Sequence, residues 1–149
     1  MLPAVRFYTY AKRFEEAYTT VMRPLTVELK MAQPAVDILL FLANNPEQNR
    51  AADIVRGRGM SKGHVSLSLR SLEDRGLVAC RADGTDRRAV YLALTDAAEA
   101  IAEDGRAVQR EFIRRLREGI TPEESAVILS VTRKMGDNIR AMERERGSI

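Results

Sequence analysis

The stretch MSKGHVSLSLRSLEDRGLVACRADGTDRRAVYLALT, residues 60–95, decides the fold of this 149-residue chain. Ser61 is a suitable N-cap residue, and the apolar residues Val65, Leu69 and Leu72 then recur at the spacing of one helix face. The stretch therefore begins with an amphipathic helix, which buries one side and exposes the other.

The residues around this helix predict two further elements. A short helix is expected at 50–57 (RAADIVRG), and a tight glycine-containing turn joins it to the helix that Gly76 ends. Two helices connected in this way form a helix-turn-helix. Strand-like runs follow at 77–83 (LVACRAD) and 88–95 (RAVYLALT), and they predict a two-stranded hairpin with a strongly charged tip.

Two helices are predicted before the helix-turn-helix. The first has an apolar stripe at spacings of three and four residues, and Pro24 is expected to kink or end it. Its stripe contains Phe7, Tyr10, Phe14, Ala17, Val21 and Leu25. The second, QPAVDILLFLANNP at 33–46, has Pro34 in its first turn and is apolar on all sides, so it is expected to be buried.

Two long amphipathic helices are predicted after the hairpin. Thr95 caps the first, and a capping box from Thr121 to Glu124, with Pro122 at the first helical position, begins the second. Amphipathic helices without a partner in their own chain tend to find one in a second copy, and a two-fold dimer is the commonest arrangement. The alternative is that the first helix and the two long helices after the hairpin pack within one chain into a single larger core.

Charge is distributed unevenly along the chain. The net charge is +3, but residues 50–90 hold nine basic against five acidic residues, so the surplus lies in the helix-turn-helix and hairpin. A concentrated basic region is typical of proteins that bind phosphate, although an ordinary solvated surface can carry a charge excess of this size.

Several classes of protein are excluded by composition. One Cys and one His rule out a disulfide framework and a zinc site built from these residues, and no metal or cofactor is predicted. No apolar run reaches the length of a membrane span, and the N-terminus does not resemble a signal peptide. A cytoplasmic protein without membrane contact is therefore expected.

The helix between Ser61 and Gly76 is the candidate for reading DNA. Its outward residues are small, polar or basic, which suits a helix in the major groove. The candidate DNA-binding residues on it are Ser61, Lys62, Gly63, His64, Ser66, Leu67 and Arg70. Gly63 lowers helix propensity, which a close approach to DNA would explain. Leu67 could contact a thymine methyl group or simply be an isolated exposed leucine.

Two motifs resemble the MarR family of bacterial transcriptional regulators. The hairpin matches the pattern D-x-R-x-x-x-L-x-L-T, and the helix before it ends in the pattern Leu-Glu-x-x-Gly-Leu-Val. The matching residues are Asp86, Arg88, Leu92, Leu94 and Thr95 in the hairpin, and Leu72, Glu73, Gly76, Leu77 and Val78 before it. The position of Leu67 is often basic or polar in that family, so base readout is expected to differ here.

The resemblance implies a fold, partners and roles. It implies a mainly α protein with a small β-hairpin wing, a winged helix-turn-helix with N- and C-terminal dimerisation helices, acting as a homodimeric repressor on pseudo-palindromic double-stranded DNA. Arg88 would enter the minor groove, Asp86 would orient it and Arg87 would contact the backbone. The implied domains are a helical arm at 1–30, a winged helix-turn-helix at 31–95 and a second arm at 96–149.

The resemblance also implies release by a small molecule or by cysteine oxidation. Tyr10 and Phe14, with neighbouring tyrosines, could line a site for an aromatic or lipophilic effector, or instead belong to the core or dimer interface. Cys80 is expected to be a small buried residue rather than a redox sensor. The operator, the regulated genes and the effector cannot be read from the sequence.

Two other functional classes fit the sequence less well. A winged-helix protein-interaction module without DNA binding has no need of Asp86 and Arg88 beside Lys62 and Arg70. An enzyme is not predicted, because the sequence has no nucleophile–base pair, metal cluster or phosphate loop, and its one histidine lies on the DNA-reading helix.

The wing assignment predicts the effect of Arg88→Ala. Loss of this contact should weaken operator binding by about 1–3 kcal/mol, the range for a direct base contact. Fluorescence anisotropy with labelled operator DNA measures the change. An unchanged affinity would show that the wing arginine does not contribute.

Overall fold

A computed structural model describes residues 4–82 and 90–146 of the chain. Six helices and one antiparallel hairpin make up this part, in the order that the sequence predicts. They are α1 (Ala4–Glu28), α2 (Gln33–Asn44), α3 (Ala51–Arg58), α4 (Lys62–Asp74), β1 (Val78–Ala82), β2 (Val90–Leu94), α5 (Asp96–Leu116) and α6 (Pro122–Arg146). The predicted fold class, mainly α with a winged helix-turn-helix, is confirmed.

The chain divides into two compact units, Met1–Phe112 and Ile113–Ile149. The core of the first unit is centred on α2, which contacts α1, α3, α4 and β2. Seven α2 residues are buried, as its all-round apolar sequence predicts: Ala35, Val36, Asp37, Ile38, Leu39, Leu40 and Leu42. Burying a leucine or isoleucine side chain contributes about 1.5–3 kcal/mol, so α2 supplies much of the stability of this unit.

Of the two predicted effects of Pro24, a kink in the helix or its end, the end is wrong. The helix continues through Pro24 to Glu28, and Lys30 follows with a positive φ of 51°. Proline cannot donate the backbone hydrogen bond of a helix interior, which weakens the helix locally. Met22 and Leu25 on either side are buried in the core, so their packing keeps the chain helical across the proline.

The ends of α4 have the predicted geometry. The Ser61 hydroxyl accepts a hydrogen bond from the backbone N–H of His64 at 3.3 Å, which caps the first turn. At the other end, Gly76 has a φ of 67°, and the N–H of Leu77 donates to the carbonyl of Leu72 at 2.9 Å. This pattern closes a helix at a left-handed residue, a conformation that glycine adopts without strain.

The hairpin is held by the core and by the loop before α3. Val78 pairs with Leu94 and Cys80 with Leu92 in the antiparallel register. Leu92 is buried, and its N–H donates to the carbonyl of Asn49 at 2.8 Å. These contacts fix the base of the wing against the helix-turn-helix.

The second unit consists mainly of α6. The predicted capping box is present: the Thr121 N–H donates to the Glu124 carboxylate at 2.9 Å, and the Glu124 N–H donates to the Thr121 hydroxyl at 3.2 Å. An exposed apolar stripe runs along this helix. It contains Val127, Ile128, Val131, Met135, Ile139 and Met142.

Helix α5 packs closely on α2 at Gly105. A Cβ atom added at Gly105 would lie 2.5 Å from a methyl carbon of the buried Leu40, closer than side-chain atoms approach one another. We expect Gly105→Ala to lower the free energy of unfolding by about 1–2 kcal/mol, because overpacking outweighs the gain in helix propensity. Chemical denaturation measures the difference.

The matched control is Gly63→Ala. An added Cβ at Gly63 has no atom within 4 Å, so this helical glycine is not required by packing. The substitution should raise the free energy of unfolding by up to about 1 kcal/mol. Equal effects of the two substitutions would contradict the close packing of α5 on α2.

Candidate nucleic-acid interface

The exposed side of α4 brings together the seven candidate residues predicted on it. The opposite side is buried through Val65, Ser68, Leu69 and Leu72, which orients the helix in the first unit. All seven candidates are exposed: Ser61, Lys62, Gly63, His64, Ser66, Leu67 and Arg70. Apart from Leu67, the helix thus presents a small, polar and basic surface.

Three of these residues form one stripe. Lys62, Ser66 and Arg70 are four residues apart and therefore lie above one another on α4. Leu67 lies beside the stripe with 68% of its surface exposed. Isolated exposed leucines are common, so exposure alone does not distinguish a base contact from an ordinary surface residue.

Hydrogen bonds connect the C-terminal end of α4 to the end of α1 and to the beginning of α5. The Arg75 guanidinium donates to the carbonyls of Leu29 and Lys30, at 3.1 and 2.6 Å, just beyond the end of α1. The Thr95 hydroxyl, immediately before α5, donates to the carbonyl of Gly76 at 2.7 Å. The position of α4 is therefore linked to α1 and α5 through backbone carbonyls. No sequence pattern predicts the Arg75 contact, because its partners are more than forty residues away.

A groove of about 660 Å³ lies between α3, α4 and the hairpin. We call it the α3–α4–hairpin groove. Its apolar wall comes from all three elements and contains Ala52, Val55, Leu69, Val90 and Leu92. Lys62, Ser66 and Arg70 also line it, so the groove opens beside the candidate DNA-reading stripe.

Arg56 is a cation of this groove that is absent from the predicted set. It extends from α3 and forms an ion pair with Asp53. Asp53 also accepts a hydrogen bond from the backbone N–H of Arg50 at 3.0 Å, at the N-terminus of α3. The basic residues in the last turn of α3 are the sequence feature that could have indicated this role. Only the tertiary structure shows that this turn lies beside α4.

The base of the wing is described, whereas its tip is not. The Arg50 guanidinium donates to the Tyr91 hydroxyl at 2.6 Å and also lies 4.8 Å from the centre of its ring. Asp86, Arg87 and Arg88 lie outside the described residues, so their roles stay predictions.

Cys80 is exposed, and the prediction of a buried cysteine is wrong. Cys80 in β1 pairs directly with the buried Leu92 of β2, so the two side chains lie on the same face of the hairpin, yet Cys80 remains exposed. Its thiol donates to the carboxylate of Glu73 on α4. This hydrogen bond, with burial and the Glu73 charge as smaller causes, raises the pKa of Cys80 to about 11.

The two candidate effector residues lie on α1. Tyr10 is 57% exposed, and the ring of Phe14 meets the buried Phe112 of α5 edge-on, with centroids 5.3 Å apart. Tyr18 packs on the same ring and accepts a hydrogen bond from Gln109 at 2.8 Å. Burial is the main cause that raises the pKa of Tyr18. Phe14 and Tyr18 thus join α1 to α5, whereas Tyr10 remains available to a partner or ligand.

Metal-binding clusters and membrane spans are both absent from the described part of the chain. Across residues 4–82 and 90–146, no group of three or more His, Cys, Asp or Glu side chains is placed to hold a metal ion. Over the same ranges, none of the helices combines the length and apolar character of a membrane span.

The Cys80–Glu73 contact predicts slow thiol chemistry. A raised pKa leaves little thiolate near neutral pH, and the rate should rise as pH increases toward about 11. Glu73→Gln removes the charge, so the pKa should fall toward its usual value and alkylation by iodoacetamide should accelerate by about ten- to a hundredfold. Intact-protein mass measurements follow the reaction.

The control is Asp74→Asn, which neutralises the adjacent carboxylate, whereas the thiol hydrogen bond goes to Glu73. It should leave the alkylation rate unchanged. Acceleration by both substitutions would mean that general charge, rather than the Glu73 hydrogen bond, sets the reactivity.

Comparison with known proteins supports the same fold. A model of the MarR family matches residues 29–89. The uncharacterized HTH-type transcriptional regulator YdgJ of Bacillus subtilis (strain 168) is 24% identical over 105 residues, which span 70% of this chain and 64% of that protein. The chain therefore matches less than two thirds of that relative's length.

Solved structures resemble almost the whole chain. Transcriptional regulator PA3341 is 25% identical, with a TM-score of 0.81 over 91% of this chain and 98% of that one. The DNA complex of S. aureus MepR is 18% identical, with a TM-score of 0.73 over 89% and 94%.

A third structure concerns the regulation of DNA binding of Bordetella bronchiseptica BpsR by 6-hydroxynicotinic acid. It is 21% identical, with a TM-score of 0.68 over 87% of this chain and 91% of that one. At these identities, MepR and BpsR share the fold with this chain. The match at 29–89 covers α2, α3, α4 and β1, so this part of the chain is similar to the MarR family, and PA3341 shares the architecture around it.

Proposed function

We propose that this protein is a sequence-specific, double-stranded DNA-binding transcriptional regulator. The observation that carries the proposal is the exposed surface of α4, where Lys62, Ser66 and Arg70 form a stripe opposite the buried apolar side. Within the described residues neither Lys62 nor Arg70 takes part in an ion pair, so both charges are available to phosphate or base edges. No enzymatic activity is proposed.

Geometry supports a major-groove role for α4. A helix that reads DNA needs its N-terminal turns exposed, because backbone N–H groups there attract phosphate. Ser61, Lys62, Gly63 and His64 occupy that turn and are exposed. Gly63 has open space around it, and the absent side chain allows a DNA strand to approach the backbone.

The wing is proposed to add a second contact. Arg88 would enter the minor groove, with Asp86 orienting it and Arg87 meeting the backbone, as the family resemblance implies. The described base of the hairpin supports this role, because Leu92 anchors β2 in the core and fixes where the wing leaves the domain.

A homodimer is proposed on a pseudo-palindromic operator. Its support is the apolar surface that single-chain packing leaves exposed on α1 and α6, including Phe7 and Tyr10 on the first and Ile128 and Ile139 on the second. Exposed apolar surface of this extent is typical of protein interfaces. The arms at 1–30 and 96–149 would then join two copies, each presenting a winged helix-turn-helix at 31–95.

Repression and release by a small molecule complete the proposal. The BpsR structure concerns an aromatic effector of a protein with this fold, which supports an aromatic or lipophilic ligand near Tyr10 and Phe14. Because the proposed target is genomic DNA, the protein is expected to act in the cytoplasm.

Salt dependence tests the DNA-binding proposal. Affinity for operator DNA selected from a random pool should fall steeply with salt, because bound cations release counterions from DNA. Lys62→Gln should weaken binding on all sequences and reduce the slope of log affinity against log salt by about one. Lys134→Gln on α6 is the control and should leave the slope unchanged. Association that does not depend on salt would favour a protein-interaction module.

Sedimentation equilibrium tests the dimer. At micromolar concentration the protein should have about twice its 16.7 kDa chain mass. Ile139→Glu places a charge in the apolar stripe of α6 and should shift the protein to monomer, because burying an unpaired charge is costly. Arg133→Glu, which changes the charge of α6 outside that stripe, should leave the mass unchanged. A monomeric wild-type protein would contradict the proposed role of the arms.

A further inference from the structure

Helix α1 ends in a motif that does not use the two backbone carbonyls following the helix. The N–H of Met31 donates to the carbonyl of Thr26 at 3.0 Å, and the N–H of Lys30 donates to the carbonyl of Val27 at 3.1 Å. These two bonds close many helices, and Lys30 takes the position that glycine usually occupies. The carbonyls of Leu29 and Lys30 therefore remain for other donors.

Lys30 has an unfavourable backbone conformation at this end of α1. Its φ of 51° lies in the left-handed region, and across residues 4–82 and 90–146 it is the only residue other than glycine with a positive φ. A side chain makes this conformation costly, so it persists only where surrounding contacts hold it. The hydrogen bond that the Lys30 carbonyl accepts from Arg75 is one such contact.

The Arg75 guanidinium binds both of these carbonyls. Arg75 directly follows α4, and its two terminal nitrogens donate to the carbonyls of Leu29 at 3.1 Å and Lys30 at 2.6 Å. A planar guanidinium donates paired bonds in a fixed geometry, and its charge is favourable at the C-terminal end of a helix. Helices α1 and α4 each pack on α2, and the paired Arg75 bonds join them directly.

The next two residues of the chain are held by Thr95, immediately before α5. The Thr95 hydroxyl donates to the carbonyl of Gly76 at 2.7 Å, and its N–H donates to the carbonyl of Leu77 at 3.1 Å. Residues 75–77 thus contact the end of α1 and the beginning of α5 together. Bonds from two elements leave α4 little freedom to pivot about the side that packs on α2.

We propose that Arg75, through its paired hydrogen bonds, is a positioning residue that fixes the orientation of α4 relative to α1 and thereby the half-site spacing accepted on DNA. In the proposed dimer the arms join the two copies, so this orientation determines where the two reading helices meet the operator. Half-sites lie about 34 Å apart, and one additional base pair also rotates a half-site around the DNA axis. The spacing rests on the proposed function, whereas the fixed orientation of α4 does not.

Spin–spin distances within one chain test the orientation in the absence of DNA. Cys80→Ser removes the only cysteine, and Glu16→Cys on α1 with Leu67→Cys on α4 provides two exposed positions for spin labels. Labelled chains are mixed with an excess of unlabelled chains, so that any dimer carries both labels in the same copy. Arg75→Gln should broaden the distance distribution by about twofold or more, because packing on α2 alone allows α4 to pivot.

Two further variants separate the paired hydrogen bonds from charge and from stability. Arg75→Lys keeps the charge and should also broaden the distribution, since one ammonium does not reproduce the paired donors. Lys30→Gly keeps both carbonyls, relieves the left-handed conformation and should leave the distribution narrow. A narrow distribution in Arg75→Gln would overturn the proposal, even if urea unfolding shows a less stable protein. A narrow distribution in Arg75→Lys would overturn the role of the paired bonds, because charge alone would then hold α4.

Half-site spacing is measured with operator DNA selected from a random pool and with versions that have one base pair inserted or removed between the half-sites. The wild-type protein should prefer the selected spacing by about tenfold or more, and Arg75→Gln and Arg75→Lys should reduce this preference to about threefold or less. Binding to DNA with a single half-site should change little in Arg75→Lys, because the charge is kept. Equal weakening on every DNA by Arg75→Gln would identify Arg75 as a phosphate contact and overturn its effect on spacing.

The two measurements distinguish the positioning role from the proposed function. If the wild-type protein binds operator DNA but Arg75→Gln changes neither the distance distribution nor the spacing preference, the positioning role fails and the proposed function stands. If the distribution broadens but the wild-type protein binds no DNA, the proposed function fails and Arg75 still positions α4.

Discussion

Burial of α2 is the constraint on which the first unit depends. A helix that is apolar on every side has to be covered on every side, and α1, α3, α4 and β2 provide that cover. At Gly105, α5 approaches Leu40 so closely that no side chain fits between them. Because α4 must turn Val65 and Leu72 toward this core, its polar and basic residues face solvent.

One buried charge lies within this apolar arrangement. Asp37 of α2 pairs with Arg58 at 3.0 Å and accepts a hydrogen bond from Gln33 at 2.9 Å. A buried carboxylate requires such partners, since an unpaired one would be costly. The pair connects α2 to the last residue of α3, immediately before Gly59, whose φ of 64° turns the chain toward α4. The turn of the helix-turn-helix is therefore fixed by an ion pair as well as by its glycine.

The surfaces of the molecule differ in their chemistry. The exposed side of α4 is polar and basic, whereas the exposed stripe of α6 is apolar. A basic surface attracts phosphate over a distance, and an apolar one associates only on contact. The α3–α4–hairpin groove combines both characters, because Leu69 and Val90 lie beside Lys62 and Arg70. That combination distinguishes it from the flat surface expected of a purely phosphate-binding site.

Local signals made most of the fold predictable. The Ser61 cap, the left-handed Gly76 and the Thr121 capping box each depend on residues within a few positions, so the sequence predicts them correctly. The prediction of a helix end at Pro24 fails for the opposite reason. Burial of Met22 and Leu25 in the core outweighs the local effect of a helix breaker.

The sequence by itself determined the order of the elements, the buried and exposed sides of α4, and the family motif. Only the tertiary structure decided the contacts between residues far apart in the chain and the exposure of Cys80. Arg75 donates to the carbonyl of Lys30, Asp37 pairs with Arg58, and the exposed Cys80 thiol donates to Glu73. Periodicity and capping act over one or two turns, so a single sequence records them. Which charged residue meets which partner across the fold depends on how the helices pack around α2, and no local pattern encodes that choice.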